Sequence, residues 1–194
     1  MENESVFKKC EKCGAIVKII KDCNCENCGI QCCGEAMKII SQNSAEAEIN
    51  KHAHAIIIIK NEKNEFLQYY DERWNSFLFL NCKLKSNFDI SNIIEYSSNK
   101  LKISIDELNC NYITDKIHKK FSESAKKEKE YHHYFYYINI KNMPQIMQQK
   151  EFLIDNIKYT WYSFKELEND ERIQQVNSDI ISFVKEFEAI SKNN

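Results

Sequence analysis

The chain has 194 residues, 27 Lys and Arg against 29 Asp and Glu, and a formal net charge of −2. This length suits one medium domain plus a small appendage. The charge balance excludes an overall basic field aimed at nucleic acid and a strong acidity aimed at a cationic partner. A hydrophobic share of 43% is enough for a packed core and excludes global disorder.

The N-terminus, MENESVFKK, has no apolar signal segment, and the longest wholly apolar run, AIIII at residues 55–59, is too short to span a bilayer. A soluble, cytoplasmic protein with no membrane partner is expected. Seven of the nine cysteines fall between residues 7 and 40. In a reducing compartment, clustered thiols point to a metal rather than to disulfides. All three glycines, Gly14, Gly29 and Gly34, lie inside this cluster, so no glycine-rich phosphate loop exists beyond it.

A tetrahedral site needs four thiolates around one metal. Cys10-x-x-Cys13-Gly14 supplies two, because the two-residue gap lets both sulfurs face one point. Gly14 permits the positive φ that brings backbone N–H groups toward them. The other half is Cys32-Cys33-Gly34 or Cys25-x-x-Cys28-Gly29. With so few large apolar residues, the segment needs a staple to fold.

Cys10-x-x-Cys13-Gly14, Ile16-Val17-Lys18 and Cys32-Cys33-Gly34-Glu35-x-Met37-Lys38 resemble desulforedoxin and the N-terminal domain of desulfoferrodoxin. The resemblance covers residues 6–40. It implies a small rubredoxin-like β knuckle with Cys10, Cys13, Cys32 and Cys33 as ligands of one metal ion. That ion is iron in the family's well-known members, and zinc satisfies the same ligands. By the same analogy the knuckle pairs subunits into a homodimer. Cys23, Cys25 and Cys28 depart from the pattern, and a zinc-ribbon-like set of Cys10, Cys13, Cys25 and Cys28 is the alternative. The five histidines, His52, His54, His118, His132 and His133, do not reproduce desulfoferrodoxin's second iron site. Cys82 and Cys110 stand alone and read as core residues.

Residues 41–50, SQNSAEAEIN, are small and polar and read as a linker between a knuckle at 1–40 and a second domain at 51–194. Residues 52–60 predict a buried strand, 61–64 a hairpin turn, and 65–70 the returning strand. Residues 74–84 read as extended. Asp89 is placed to cap a helix ending near Leu101, with Ile93, Ile94 and Leu101 inward. Residues 115–130 are lysine-rich and read as a solvated charged face. Residues 131–140 and 159–164 predict strands. Ser163-x-x-Glu166 is a capping box, and a last helix starts near Val176 with Ile180, Val184 and Phe187 in its apolar stripe. On their strand His52 and His54 share a face and could take a metal, whereas His132 and His133 point to opposite faces.

Over residues 50–188, the segments HAHAIIIIKNEKNEFLQYYDERWNSFLF, HHYFYYINI and WYSFKELENDERIQQVNSDIISFVKEF resemble in their order the Nudix fold. The resemblance implies an α+β protein: a rubredoxin/desulforedoxin-like β knuckle followed by a Nudix-like α/β/α sandwich with a mixed sheet. It also implies a nucleotide-like small-molecule ligand. The family's catalytic helix carries glutamates that hold Mg²⁺, and here the matching positions are Tyr96, Asn99 and Lys100, with Glu95 in the arginine's place. The loop that should bear glycines reads Leu80-Asn81-Cys82-Lys83-Leu84. An ammonium group repels a cation, so Mg²⁺ is not expected. Asp89, Asp106, Glu107, Glu123, Glu128 and Glu130 are the acids left as substitutes.

The expected function is metal binding joined to a ligand-binding or regulatory domain that is a pseudoenzyme. Two alternatives stand beside it: a hydrolase of a nucleoside-diphosphate-linked compound with relocated carboxylates, and an iron-dependent electron carrier or redox sensor. Nucleic acid is not an expected partner, because Glu123 and Glu128 interrupt the lysines.

Overall fold

The computed structural model of the chain describes residues 6–20, 29–49, 51–84, 89–122 and 126–191. Cys23, Cys25, Cys28 and Glu123 lie outside the described residues. The chain divides into two compact units, one of residues 1–53, 83–88 and 117–132, the other of 54–82, 89–116 and 133–194.

In the first unit, β1 (Val6–Lys9) is the middle strand of a three-stranded sheet, between β2 (Ile16–Ile19) and β5 (Lys38–Ile40). Both pairings are antiparallel, with Phe7 opposite Lys18 on one side and Ile40 on the other. A short hairpin joins β3 (Gln31–Cys32) to β4 (Glu35–Ala36). Its two turn residues, Cys33 and Gly34, have φ of 54° and 78°. Two successive positive φ values define the I′ turn that matches strand twist. Gly34 adopts this freely. Cys33 does so at a cost of about 1–2 kcal/mol, which is tolerated where its thiol is needed.

Within the stretch 41–50, expected to be a linker, the chain forms helix α1 (Gln42–Ile49). The small polar composition hides good helix formers, alanine and glutamate. Ser41 starts the helix by accepting the Ser44 N–H at 3.1 Å. Ala45 is fully buried, and with Phe7, Cys10 and Met37 it makes up most of the small apolar interior of this unit.

The remaining strands form two four-stranded sheets, ordered β10-β11-β6-β9 and β12-β13-β7-β8. Their members are β6 (Lys51–Ile59), β7 (Phe66–Asp71), β8 (Ser76–Leu78), β9 (Leu80–Lys83), β10 (Leu108–Ser122), β11 (Lys127–Ile140), β12 (Glu151–Ile154) and β13 (Ile157–Tyr162). The run Ala55 to Ile59 is buried at every position. A strand covered on both faces has no polar alternation to show. The strand β10 was not anticipated. Most of its residues face solvent, so it carries no apolar period, and residues 115–122 and 127–130 of the lysine-rich stretch lie on two long neighbouring strands. At about 3.3 Å per residue, a 15-residue strand outruns a small core, and the ends of β10 and β11 count with the first unit.

The core of the second unit gathers Ile56, Ile58, Phe66, Phe79 and Phe135 against Leu167, Ile173, Ile180, Ile181, Val184 and Phe187. The last five lie on α4 (Glu171–Ser191), whose helical geometry is interrupted at Asn177. The expected start near Val176 falls beside that interruption. Helix α3 (Phe164–Asn169) opens with the anticipated capping box between Ser163 and Glu166. Helix α2 (Ile90–Leu101) is capped by Asp89 as expected, with Asn92 completing the box. It ends on Lys102, whose φ of 56° is left-handed. Ile93 and Leu101 are buried and Ile94 is half-buried. Among the described residues, no helix is long and apolar enough to cross a membrane.

Candidate metal centre and ligand pocket

The end of β1, the turn after it and the β3–β4 hairpin bring Cys10, Cys13, Cys32 and Cys33 together: their four Sγ atoms lie within 4.8 Å of one another. Cys13 Sγ is 3.5 Å from Cys32 Sγ, and Cys32 Sγ is 3.8 Å from Cys33 Sγ. Four sulfurs at ~2.3 Å from a tetrahedral metal stand ~3.8 Å apart, so the donors fit a tetrathiolate ion. Gly14, at φ 70°, closes the first loop by donating its N–H to the Cys10 carbonyl at 2.9 Å. Cys10 is buried and Cys13 and Cys33 are exposed, so the site has a closed side and an open side.

The thiols share their protons unevenly. The Ala15 N–H and neighbouring thiols pull Cys13 down to about 7. Cys32, hydrogen-bonded to Cys13 and Cys10, is pushed up to about 12, and Cys33 is raised by Cys13. A metal requires the thiolate form from all four. Cys82 and Cys110 are pushed up to about 11 by burial and remain neutral thiols.

The second unit carries a different kind of site. Tyr96, Asn99 and Lys100 project from α2 into two adjoining hollows of about 320 and 310 Å³. The first is walled by Tyr69, Tyr70, Asp71, Arg73 and Asn81, with Glu72 exposed beside them. The second adds Asp155, and Tyr96, Lys100 and Ile157 line both. Tyr96 hydroxyl donates to the Asn81 carbonyl at 2.6 Å, and Tyr159 hydroxyl donates to the Lys100 carbonyl at 3.3 Å. These two bonds fix α2 against β9 and β13. Glu95 is exposed and lines neither hollow.

At the end of β7, Asp71 is buried and gripped by Arg73, through Nε at 3.0 Å and Nη2 at 2.5 Å. The Arg73 N–H at 3.0 Å and Tyr69 hydroxyl at 3.1 Å complete its shell. The Arg73 guanidinium, first among these, holds the Asp71 carboxyl below the usual carboxylate range. Burial pushes Tyr69 up to about 12 and raises Tyr96 as well, so both phenols stay protonated. The sequence reading missed Tyr69, Asp71 and Arg73. The one signal for the pair was an acid and a base two apart just before a turn.

The other candidate acids are dispersed. Asp89 is the cap of α2, and Glu107 accepts from Asn142 Nδ2 at 2.7 Å. Asp106 lies with Glu107 on a short 3₁₀ turn, and Glu128 and Glu130 lie on β11. Among the described residues, the four cysteines are the one group of three or more His, Cys, Asp or Glu donors close enough to hold an ion. His52 stacks on Tyr131 at 5.5 Å, and His54 meets His133 edge-on at 6.1 Å.

No family model matches the sequence, and no curated protein does. Among solved structures, the chain is similar to a C. elegans Ap4A hydrolase at 18% identity, covering 72% of this chain and 96% of that one, with a TM-score of 0.47. It is also similar to a NUDIX hydrolase from Nitrosomonas europaea at 11% identity, over 73% and 90% of the chains, with a TM-score of 0.46. A NUDIX-family hydrolase from Clostridium perfringens gives 17% identity, 71% and 95% coverage, and a TM-score of 0.41.

Proposed function

We propose that this chain is a metal–thiolate protein: Cys10, Cys13, Cys32 and Cys33 hold one iron or zinc ion in a desulforedoxin-like knuckle. A Nudix-like second unit binds a nucleotide-like small molecule in a regulatory role. The supporting observation is the meeting of the four Sγ atoms within 4.8 Å. The first unit buries few large side chains, so the ion would supply the cross-link that its core does not. Iron would add one-electron chemistry; zinc would not.

Metal analysis with a visible spectrum on freshly purified protein tests this. One ion per chain, lost when any of the four cysteines becomes serine, is expected. Thiolate-to-iron absorption would favour the electron-carrier or redox-sensor reading, and a colourless, zinc-loaded protein made with ample iron would sink it. No bound metal in the wild-type chain would overturn the proposal.

A hydrolytic reading has one observation of its own. Asp71 and Glu72 line the first hollow, two adjacent acids beside a space that a small molecule could enter. Incubation with Mg²⁺ or Mn²⁺ and a panel of dinucleoside polyphosphates decides between the two. Turnover that Asp71→Asn or Glu72→Gln abolishes would make the protein a hydrolase of nucleoside-diphosphate-linked compounds.

A further inference from the structure

We infer that the hollows on either side of Lys100 form a site for the phosphate or diphosphate group of a small molecule, with the Lys100 ammonium as its counter-charge in place of a divalent cation. This deepens the reading that the second unit binds a nucleotide-like ligand, and rests on it.

The charges around the hollows leave Lys100 as their available cation. Arg73 is committed to Asp71 through two nitrogens. Asp155 is paired with Lys102 at 2.9 Å. Glu72 is exposed to solvent, where its charge is screened. Lys100 is half-buried and, among the described residues, has no carboxylate partner. An ammonium without a partner, on a wall shared by two hollows, attracts an anion and disfavours a second cation beside it.

Further donors complete the wall. The Asn99 amide lies one residue away and lines the second hollow with Lys100. A guanidinium has five N–H donors in a fork, so Arg73 keeps donors beyond those it gives Asp71. The Tyr69 and Tyr96 phenols are held protonated by burial and add no negative charge. Each hollow, at about 320 and 310 Å³, is at the lower end of small-molecule sites, roughly 300–1,000 Å³. A phosphate on Lys100 can therefore extend its organic part to either side.

The test is calorimetric titration of the full chain with inorganic pyrophosphate. The thiolate site is loaded with zinc, unbound zinc is removed, and the buffer is freed of divalent ions over a chelating resin. Binding without Mg²⁺ is expected, weakened about tenfold or more by Lys100→Gln, restored by Lys100→Arg, and unchanged by the exposed Lys165→Gln. The inference is overturned if Lys100→Gln binds like wild type or if pyrophosphate binds only with Mg²⁺. Binding of phosphate-free adenosine without pyrophosphate would overturn it and leave the ligand-binding reading standing. Binding of neither would remove both.

Discussion

Tyr96 on α2 donates its phenolic proton to the backbone carbonyl of Asn81 on β9 at 2.6 Å. Tyr96 thus serves as a strut between the helix and the strand. Tyr96 is among the side chains that burial keeps neutral. Tyr96→Phe should cost about 1 kcal/mol of stability, the usual net worth of one such bond. Urea unfolding measures it, and an unchanged midpoint would show that the bond contributes nothing.

Replacing Cys10, Cys13, Cys32 or Cys33 with serine should each remove stoichiometric metal, whereas Cys25→Ser and Cys28→Ser should retain it. Metal per chain by elemental analysis separates this set from the zinc-ribbon-like alternative. Since every ligand must be a thiolate, metal release should also follow acidification as protons compete for sulfur.

The Asp71 carboxyl is held below its ordinary range, first by Arg73. A group depressed on folding stabilises the protein above its unfolded value, about 3.9. That contribution is lost as pH falls through the lower folded value. Asp71→Asn should therefore cost about 1–2 kcal/mol near neutrality, and its difference from wild type should shrink below about pH 4. Stability curves from pH 7 to pH 2 test the sign: a gap that widens in acid would refute the assignment.

Phe135 is fully buried, with its ring 4.9 Å from Phe187 and 6.1 Å from Phe183. Phe135→Ala removes the contact between β11 and α4 and should cost about 3–5 kcal/mol. At α3, Ser163→Ala removes the cap on the Glu166 N–H and should cost about 1 kcal/mol. Chemical denaturation ranks the two, and a cap variant worse than the core variant would contradict the packing described.

Much of the local architecture was legible in the chain because its causes are local. The turn at residues 61–64, the Asp89 and Ser163 caps and the Ile180, Val184, Phe187 stripe all depend on neighbours within a few residues; the expected hairpin pairing does not form, because β6 and β7 meet only at the Lys60–Phe66 bridge and enter different sheets. The proximity of Cys10, Cys13, Cys32 and Cys33 was legible for a similar reason: the members of each pair are close in sequence, and a turn brings each pair's thiols to one point. The helix at 42–49 was hidden because Ser, Asn and Gln suit a loop as well as a capped helix. The strand β10 was hidden because solvent covers most of it and leaves no period to read.

By itself the sequence determined which residues would turn, cap and carry thiols, since those preferences come from each residue's own dihedrals and near neighbours. The tertiary structure alone decided which side chains share a wall. Strand pairing sets Tyr159 opposite Tyr69, and a buried Tyr159 hydroxyl ties Lys100 to that sheet. Such register depends on burying apolar surface across scores of intervening residues, a sum over the whole chain that no short stretch records.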